Sequence, residues 1–448
     1  MITAQDFEAA NDRPSFILQA IREYMASEDY LTAQTAQKYY ARKNPEISKR
    51  MSYLERSRKY TVDVHYHKLC SGFFRRLIMH QNGYLLGNGV SLEESAKEKL
   101  GGDSFDETLL LIGNDALVDG VGWGFWDHEK GLISFRATEF FALLDERTGS
   151  PMVGVRFYQI DPSKPLYFTV YERDGVTEYA VKDNGEPEVY KDKTPYQTTV
   201  GRSAATGDKE IILGVANYDI LPIFPLYANE LKQSEIIGLK GWIDAYDFVA
   251  SDLIDSITLV DGLYSIVKNY GGDDLEQLVA EINEKKVIFE DDGDGGASSR
   301  HEVVESPYIS KKEALAFLEN RIVIDFMIPS QISGRAATAT EINLAREPLD
   351  FKVDIFELQV SGFIRNILRL LGIDEKPKFK RRTTTNDTEI TNAISTMRED
   401  LSLETALALY PYMPEDKIEE NIKQLAIEQA ALDAVIDDDP PDDPEGNE

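Results

Sequence analysis

Cysteine occurs once in the 448 residues, at Cys70, so no intramolecular disulfide can form and a cytosolic setting is expected. Histidine occurs five times, scattered, and there is no G-x-S-x-G, H-E-x-x-H or paired Cys-x-x-Cys. General acid–base and zinc chemistry therefore have few groups to work with. GNGVSLEES carries two glycines but no Lys-Ser/Thr after them, so a P-loop ATPase is not expected. No apolar run approaches the roughly 18 residues of a membrane span. The N-terminal MITAQDFEAANDRP is polar and acidic where an export signal is basic and then apolar. A soluble chain with no membrane partner and no cleavable signal is expected.

Basic charge is also short. Lys and Arg number 48 against 79 Asp and Glu, giving a formal charge of −31 and a pI near 4.6. Tight sequence-specific DNA binding is disfavoured, because that affinity comes largely from Lys and Arg neutralising phosphates. Local contact with DNA at a few basic positions stays compatible with this balance. Apolar residues make up 42% and aromatics 10%, enough for a sizeable core, and the length allows roughly two to four domains.

What is present reads as an α+β chain. Residues 1–78 have helical spacing, as in SFILQAIREYMAS and DYLTAQTAQKYYARK, and form an N-terminal helical arm. Residues 79–231 are strand-rich, with GWGFWDHEKGLISFRA, MVGVRFYQI and PLYFTVYERDG broken by Gly, Asp and Pro, and a helix is expected at SFDETLLLIGNDALVDG. A helix is expected over about 232–261, a small α/β insertion over 262–308, and a second helix over 309–327. A loop at 328–340 leads to a long helix at 341–375, which Pro348 should kink or restart. A basic connector opens the helical group 376–433, and 434–448 is an acidic tail whose composition reads as disordered.

The stretch LKGWIDAYDFVASDLIDSITLVDGL poses the main question. Leu239, Ile243, Tyr246, Ala250, Leu253, Ile257 and Val260 recur at helical steps, with Asp244, Asp247, Asp252 and Asp255 on the other side. An amphipathic helix normally exposes such charge, so a solvated face is expected. The sharper alternative is a metal-dependent nuclease or phosphohydrolase using Asp244, Asp247 and Asp255. His65, His67 and Cys70 invite a zinc reading but lack a fourth ligand, and ordinary packing is expected. Glu290, Asp292, Asp294 and Gly295 mimic the start of a calcium loop, yet His301 stands where its bidentate Glu should be. No cofactor or metal is expected.

Several blocks, in order, resemble the phage portal proteins of long-tailed phages of Gram-positive bacteria. They are HQNGYLLGNGVSL, ALVDGVGWGFWDHEKGLISFRATEFFALLDE, ILPIFPLYANELKQSEIIGLKGWIDAYDFVASDLIDSI, SGRAATATEINLA and DLSLETALALYPYMPEDKIEENIKQLAIEQ. The resemblance covers most of residues 40–430. It implies a portal fold, with 79–231 as the wing, 232–261 and 309–327 as a two-helix stem, 262–308 as the clip, 328–340 as the tunnel loop, 341–375 as the long kinked wing helix and 376–433 as the crown.

It further implies a ring of usually twelve subunits at one capsid vertex, a non-enzymatic conduit for double-stranded DNA in packaging and ejection. The expected location is the virion, with host cytoplasm during assembly. Expected partners are further copies of the chain, DNA held non-specifically and transiently, the terminase large subunit (the packaging ATPase), a head-completion or adaptor protein, and major capsid and scaffold proteins. Gln331, Ser333, Gly334, Arg335 and Thr338 would meet DNA in the tunnel loop, and Asp292 and Asp294 would be clip contacts. Trp242, Asp244, Tyr246, Asp247, Phe248, Asp252 and Asp255 would belong to the stem. There the aspartates would form a wet or DNA-repelling side, while Trp242 and Phe248 would meet the next subunit. A minor capsid or scaffold protein that interacts without forming a conduit is the other alternative.

Overall fold

The computed structural model describes residues 2–49, 67–182, 185–202, 210–260, 265–266, 300–301, 308–328, 339–381, 396, 402–408 and 418–436. The N-terminal arm is a run of capped helices: α1 (Ala4–Ala9), α2 (Arg13–Met25) and α3 (Glu28–Tyr40). Thr3, Asp12 and Ser27 each accept a backbone N–H at the N-terminus, satisfying donors the helix itself cannot. α4 (Phe73–Leu86), the two-residue strand β1 (Val90–Ser91), α5 (Glu94–Leu100) and α6 (Asp103–Asp119) follow. α6 is the helix expected at SFDETLLLIGNDALVDG, and it ends on Gly120 in the left-handed region at φ 93°.

The strands come next: β2 (Val121–Asp127), β3 (Gly131–Arg136), β4 (Phe140–Leu144), β5 (Pro151–Tyr158), β6 (Tyr167–Glu172), β7 (Gly175–Val181) and β8 (Pro187–Thr194). After them come β9 (Gln197–Arg202), β10 (Glu210–Ala216) and β11 (Ile223–Tyr227). β4 to β8 form one antiparallel meander, β11-β2-β3 a second sheet, and β9-β10 a separate hairpin. One face of the meander buries Val153, Val155, Phe168 and Val170 against Phe7, Ile17 and Ile21, so the arm's first two helices roof that sheet.

In β2, GWGFW alternates by face, as a strand must. Trp123 and Phe125 pack among Phe135, Phe140 and Tyr171, while Gly122 and Gly124 leave the other face bare for helices. A Cβ on Gly124 would stand 2.4 Å from Cζ of Phe363, and one on Gly122 would stand 2.5 Å from the carbonyl oxygen of Ile112. The missing side chains let α6 and the long helix close on the sheet.

That long helix, α9 (Ala339–Leu370), is preceded by α7 (Lys240–Val260), the strand pair β12 (Ser265–Ile266) and β13 (Arg300–His301), and α8 (Tyr308–Asp325). Leu349, Val353, Phe356, Val360, Phe363 and Ile367 are all buried, the stripe that sequence spacing marks. α9 runs on through Pro348 and does not restart there. Pro348 is exposed, so its missing N–H lies away from the seam that starts at Leu349.

α7 begins at Lys240, eight residues later than the sequence suggested. Lys232 (φ 56°) and Gly238 (φ 87°) take left-handed conformations that no helix admits, and the Ser234 hydroxyl is drawn to the carbonyl of Val118. β14 (Lys378–Phe379) pairs with β1, tying the basic connector back to the core, and α10 (Leu403–Ala408) and α11 (Ile418–Ile436) complete the described elements.

Candidate functional site

α7 carries the acidic stretch, and its surroundings overturn the solvated-face expectation. Its most buried line is Ile243, Asp247, Ser251 and Asp255, one helical turn apart, with Asp247 only 1% exposed. Against it lies residues 67–71, a strap whose alternate backbone N–H groups face the helix. Ser71 N–H donates to Asp247 Oδ1 at 2.8 Å, Leu69 N–H to Ser251 Oγ at 3.0 Å, and His67 N–H to Asp255 Oδ1 at 2.9 Å. Three acceptors four residues apart on a helix thus meet three donors two residues apart on an antiparallel strap.

The lower end of the clamp is closed by the arm. Asn44 Nδ2 donates to Asp247 Oδ2 at 2.8 Å and to Asp244 Oδ1 at 3.0 Å, and the Tyr39 hydroxyl donates to the same Asp244 oxygen. Lys240 Nζ lies 2.8 Å from Asp244 Oδ2. At the upper end, His67 Nδ1 is 2.9 Å from Asp255 Oδ1. Asp252 is half-buried and paired with Lys311 Nζ of α8 at 2.7 Å. Each aspartate thus has a partner within the subunit, and none forms a free wet side. The helix rule failed because Asp247, Ser251 and Asp255 satisfy backbone donors of a segment some 180 residues earlier.

Burial pushes the Asp247 carboxyl up from its ordinary range, opposed by the donors from Asn44 and Ser71. Tyr39 is also raised, first by burial and then by its bond to Asp244. The hydrolase arrangement is not assembled. Asp247 and Asp255 stand two turns apart, about 12 Å along the axis, and each is occupied by other donors. Among the described residues no group of three His, Cys, Asp or Glu side chains is placed to hold a metal. His67 is engaged with Asp255 and not with Cys70; His65, Glu290, Asp292, Asp294 and Gly295 lie outside the described residues. So do Gln331, Ser333, Gly334, Arg335 and Thr338.

The apolar stripe of α7 is likewise only partly a seam. Leu239 and Ile243 are buried, Tyr246 packs edge-on to Phe73 at 4.8 Å, and Ile257 is exposed. Trp242 is partly buried with the Arg321 guanidinium of α8 5.8 Å from its ring, whereas Phe248 faces solvent.

Two further buried contacts were invisible in sequence. Lys352 of α9 pairs with Glu235 Oε2 at 2.6 Å and lies 3.4 Å from the centre of the Phe326 ring; burial lowers its pKa, opposed by Glu235. Asp119, at the end of α6, accepts from Gln37 Nε2 at 2.9 Å, and burial pushes its carboxyl up to about 8. Among the described residues no helix is long and apolar enough to cross a membrane.

These features define a mixed α/β fold whose acidic helix is a joint between segments, with its carboxylates spent on backbone and side-chain donors. Residues 23–433 match the family model described as phage portal protein, SPP1 Gp6-like. The chain belongs to that family, and is a non-enzymatic component of the virion at the capsid vertex that serves DNA packaging.

Among its relatives, the portal protein of Bacillus phage SPP1 is 24% identical over 458 residues, covering 91% of this chain and 86% of the relative. The portal protein of Clostridium phage phiCD119 is 24% identical over 178 residues, 38% of this chain and 39% of the relative. A chain from a structure titled "Neck of native GTA particle computed with C12 symmetry" aligns over 76% of this chain and 90% of its own length, at 13% identity and a TM-score of 0.40.

Proposed function

We propose that the chain closes head-to-tail into a ring of twelve that encircles double-stranded DNA during packaging and ejection. The family match over residues 23–433 carries this reading. A surface contact repeated by rotation gives a closed ring around a hole, which suits a protein that must surround a polymer. In this reading 79–231 is the wing, α7 and α8 are the stem, 262–308 is the clip, 328–340 is the tunnel loop, α9 is the wing helix and 376–433 is the crown.

The stem sets the length scale. α7, with 21 residues, spans about 31 Å, over which a duplex presents roughly 18 charges. A basic wall would hold many phosphates at once and resist sliding. The formal charge of −31 per subunit instead gives a field that keeps the duplex hydrated, with Arg335 and its neighbours Gln331, Ser333, Gly334 and Thr338 supplying transient contacts. That field belongs to the whole chain, since the four α7 aspartates are engaged inside the subunit. The clip, through Asp292 and Asp294, would meet the packaging ATPase during filling and a head-completion protein afterwards. The wing and crown would meet capsid and scaffold proteins.

Sizing with negative-stain imaging of the purified protein tests the ring. A closed ring of about twelve copies is expected, and a species that stays monomeric at high concentration and with scaffold protein present would refute it. For the tunnel loop, Arg335→Glu is expected to reduce DNA packaging or retention in normally assembled particles, and unchanged values would remove Arg335 from the conduit.

A further inference from the structure

Positive charge is scarce in this chain, and it collects where acid is missing. Asp and Glu number 79 in 448 residues, a density at which a stretch as long as 64–92 would hold about five; it holds none. Residues 30–45, most of α3 and the turn after it, also lack Asp and Glu. The fold brings the two stretches together. Arg42, in the left-handed region at φ 59°, lays its guanidinium over Gly72, where a Cβ would stand 3.0 Å from Nε and 3.2 Å from Cζ. Arg75 and Arg76 lie three and four residues beyond Gly72, one turn further along the same face of α4. Lys43 adjoins Arg42, and Lys68 belongs to the strap that leads into α4. All five are exposed.

Elsewhere Lys240, Lys311, Lys352 and Arg381 each lie against a carboxylate. Among the described residues these five cations do not, and Glu46, the carboxylate nearest to them in sequence, is held by Lys49 and Lys240. Two of the guanidiniums rest on rings, Arg75 Cζ 5.7 Å from the centre of Tyr40 and Arg76 Cζ 5.0 Å from that of Phe73. A ring holds a guanidinium without consuming its N–H donors, and that fork matches two phosphate oxygens. We propose that Arg42, Lys43, Lys68, Arg75 and Arg76 form a contact surface for the backbone phosphates of double-stranded DNA. This rests on the conduit reading above and gives it a second contact, on the arm and α4 and apart from the tunnel loop. The family match makes DNA a molecule this protein handles, and the surplus of acid repels a duplex, so contact concentrates where acid is absent. Cations that meet only phosphate read no bases, so the surface is indifferent to sequence.

Fluorescence anisotropy of a labelled duplex of mixed sequence, titrated with the full-length chain, tests it. Between about 50 and 200 mM salt, with five phosphates met, the logarithm of the binding constant is expected to fall against that of salt with a slope of about −4.5. Arg75→Gln with Arg76→Gln should bring the slope to about −2.7. Arg147→Gln with Lys164→Gln, exposed cations in loops of the meander, should leave it unchanged. Equal changes from the two pairs would mean that every exposed cation contributes alike, and would overturn the surface. No binding by the unsubstituted chain would overturn it too, and leave the five cations to an acidic protein partner. Should the urea midpoint of the Arg75/Arg76 variant fall, Lys43→Gln with Lys68→Gln decides, with the same slope expected and an unchanged slope refuting the surface. The five residues lie in one subunit, so the titration does not need the ring. Rings that bind no duplex defeat the surface alone, and a chain that binds the duplex but closes no ring defeats the ring alone.

Discussion

The backbone N–H of Ser71 donates to Asp247 Oδ1 at 2.8 Å across 176 residues of chain, and Asp247 is buried while doing so. This bond, with its neighbours at Ser251 and Asp255, fixes the strap to α7. Replacing Asp247 with Ala leaves the Ser71 N–H and one Asn44 donor buried without acceptors. At about 1–3 kcal/mol for each of the two orphaned groups, a loss of roughly 2–6 kcal/mol is expected in the urea unfolding of the unassembled subunit. Asp247→Asn should recover part of this but not all. Its one oxygen can serve Ser71, while its amide opposes that of Asn44, whose own oxygen is already used by Glu46 N–H at 2.9 Å.

The middle rung is simpler. Ser251→Ala removes the acceptor for Leu69 N–H and should cost about 1–3 kcal/mol, with hydrogen exchange at Leu69 speeding up more than exchange in β5 or β6. Equal protection at Leu69 in both proteins would show that the strap is held by packing alone.

Asp119 gives a pH dependence of definite sign. Its folded-state pKa, raised by burial to about 8, lies above the ordinary aspartate value of about 3.9. The native state therefore binds more protons than the unfolded chain between those values, and this group's contribution to stability falls as pH rises from about 4 to 8. Asp119→Asn mimics the protonated form. Its denaturant midpoint should gain on the unsubstituted chain steadily from pH 5 to pH 8, and two parallel curves would contradict the assignment.

Gly124 makes room for Phe363. Gly124→Val should destabilise by about 1–3 kcal/mol through overpacking, and Phe363→Leu in the same chain should return part of that. Additive losses in the double variant would mean that the glycine serves the strand and not the helix seated on it.

Lys352→Met leaves Glu235 buried opposite an apolar chain, and a loss of about 3–5 kcal/mol is expected. Combining it with Glu235→Leu should recover most of the stability, because removing both charges also removes the cost of desolvating them. Thermal unfolding of the two variants side by side provides the check.

How far such contacts could be read beforehand depended on where their partners lie. The stripe from Leu349 to Ile367 was legible because burial of apolar side chains follows helical spacing, a local property. The turn to glycines in GWGFW was legible as a strand, but its reason, Phe363, is more than 230 residues away. The aspartates of α7 misled for the same cause: charge opposite an apolar stripe normally faces water, and nothing in VHYHKLCS announces three backbone donors looking for acceptors. Asn44 and Gln37, which complete the two buried carboxylate sites, are ordinary polar residues of a helical arm until the fold brings them in. The order of the quoted blocks placed the chain in its family; spacing alone did not reveal the clamp.

The strap and α7 also measure one another. Two residues of extended chain advance about 6.6 Å, and four residues of helix about 6.0 Å, so the two rulers separate by roughly 0.6 Å at each mark. Over the rungs at Ser71, Leu69 and His67 the mismatch stays near 1.2 Å, which side-chain rotation absorbs. A fourth and fifth rung would carry it beyond the tolerance of a hydrogen bond. The joint is thus limited by its own geometry to about three marks, and it behaves as a vernier: only one alignment brings every mark into coincidence, so sliding the strap by a single residue turns all three donors away together.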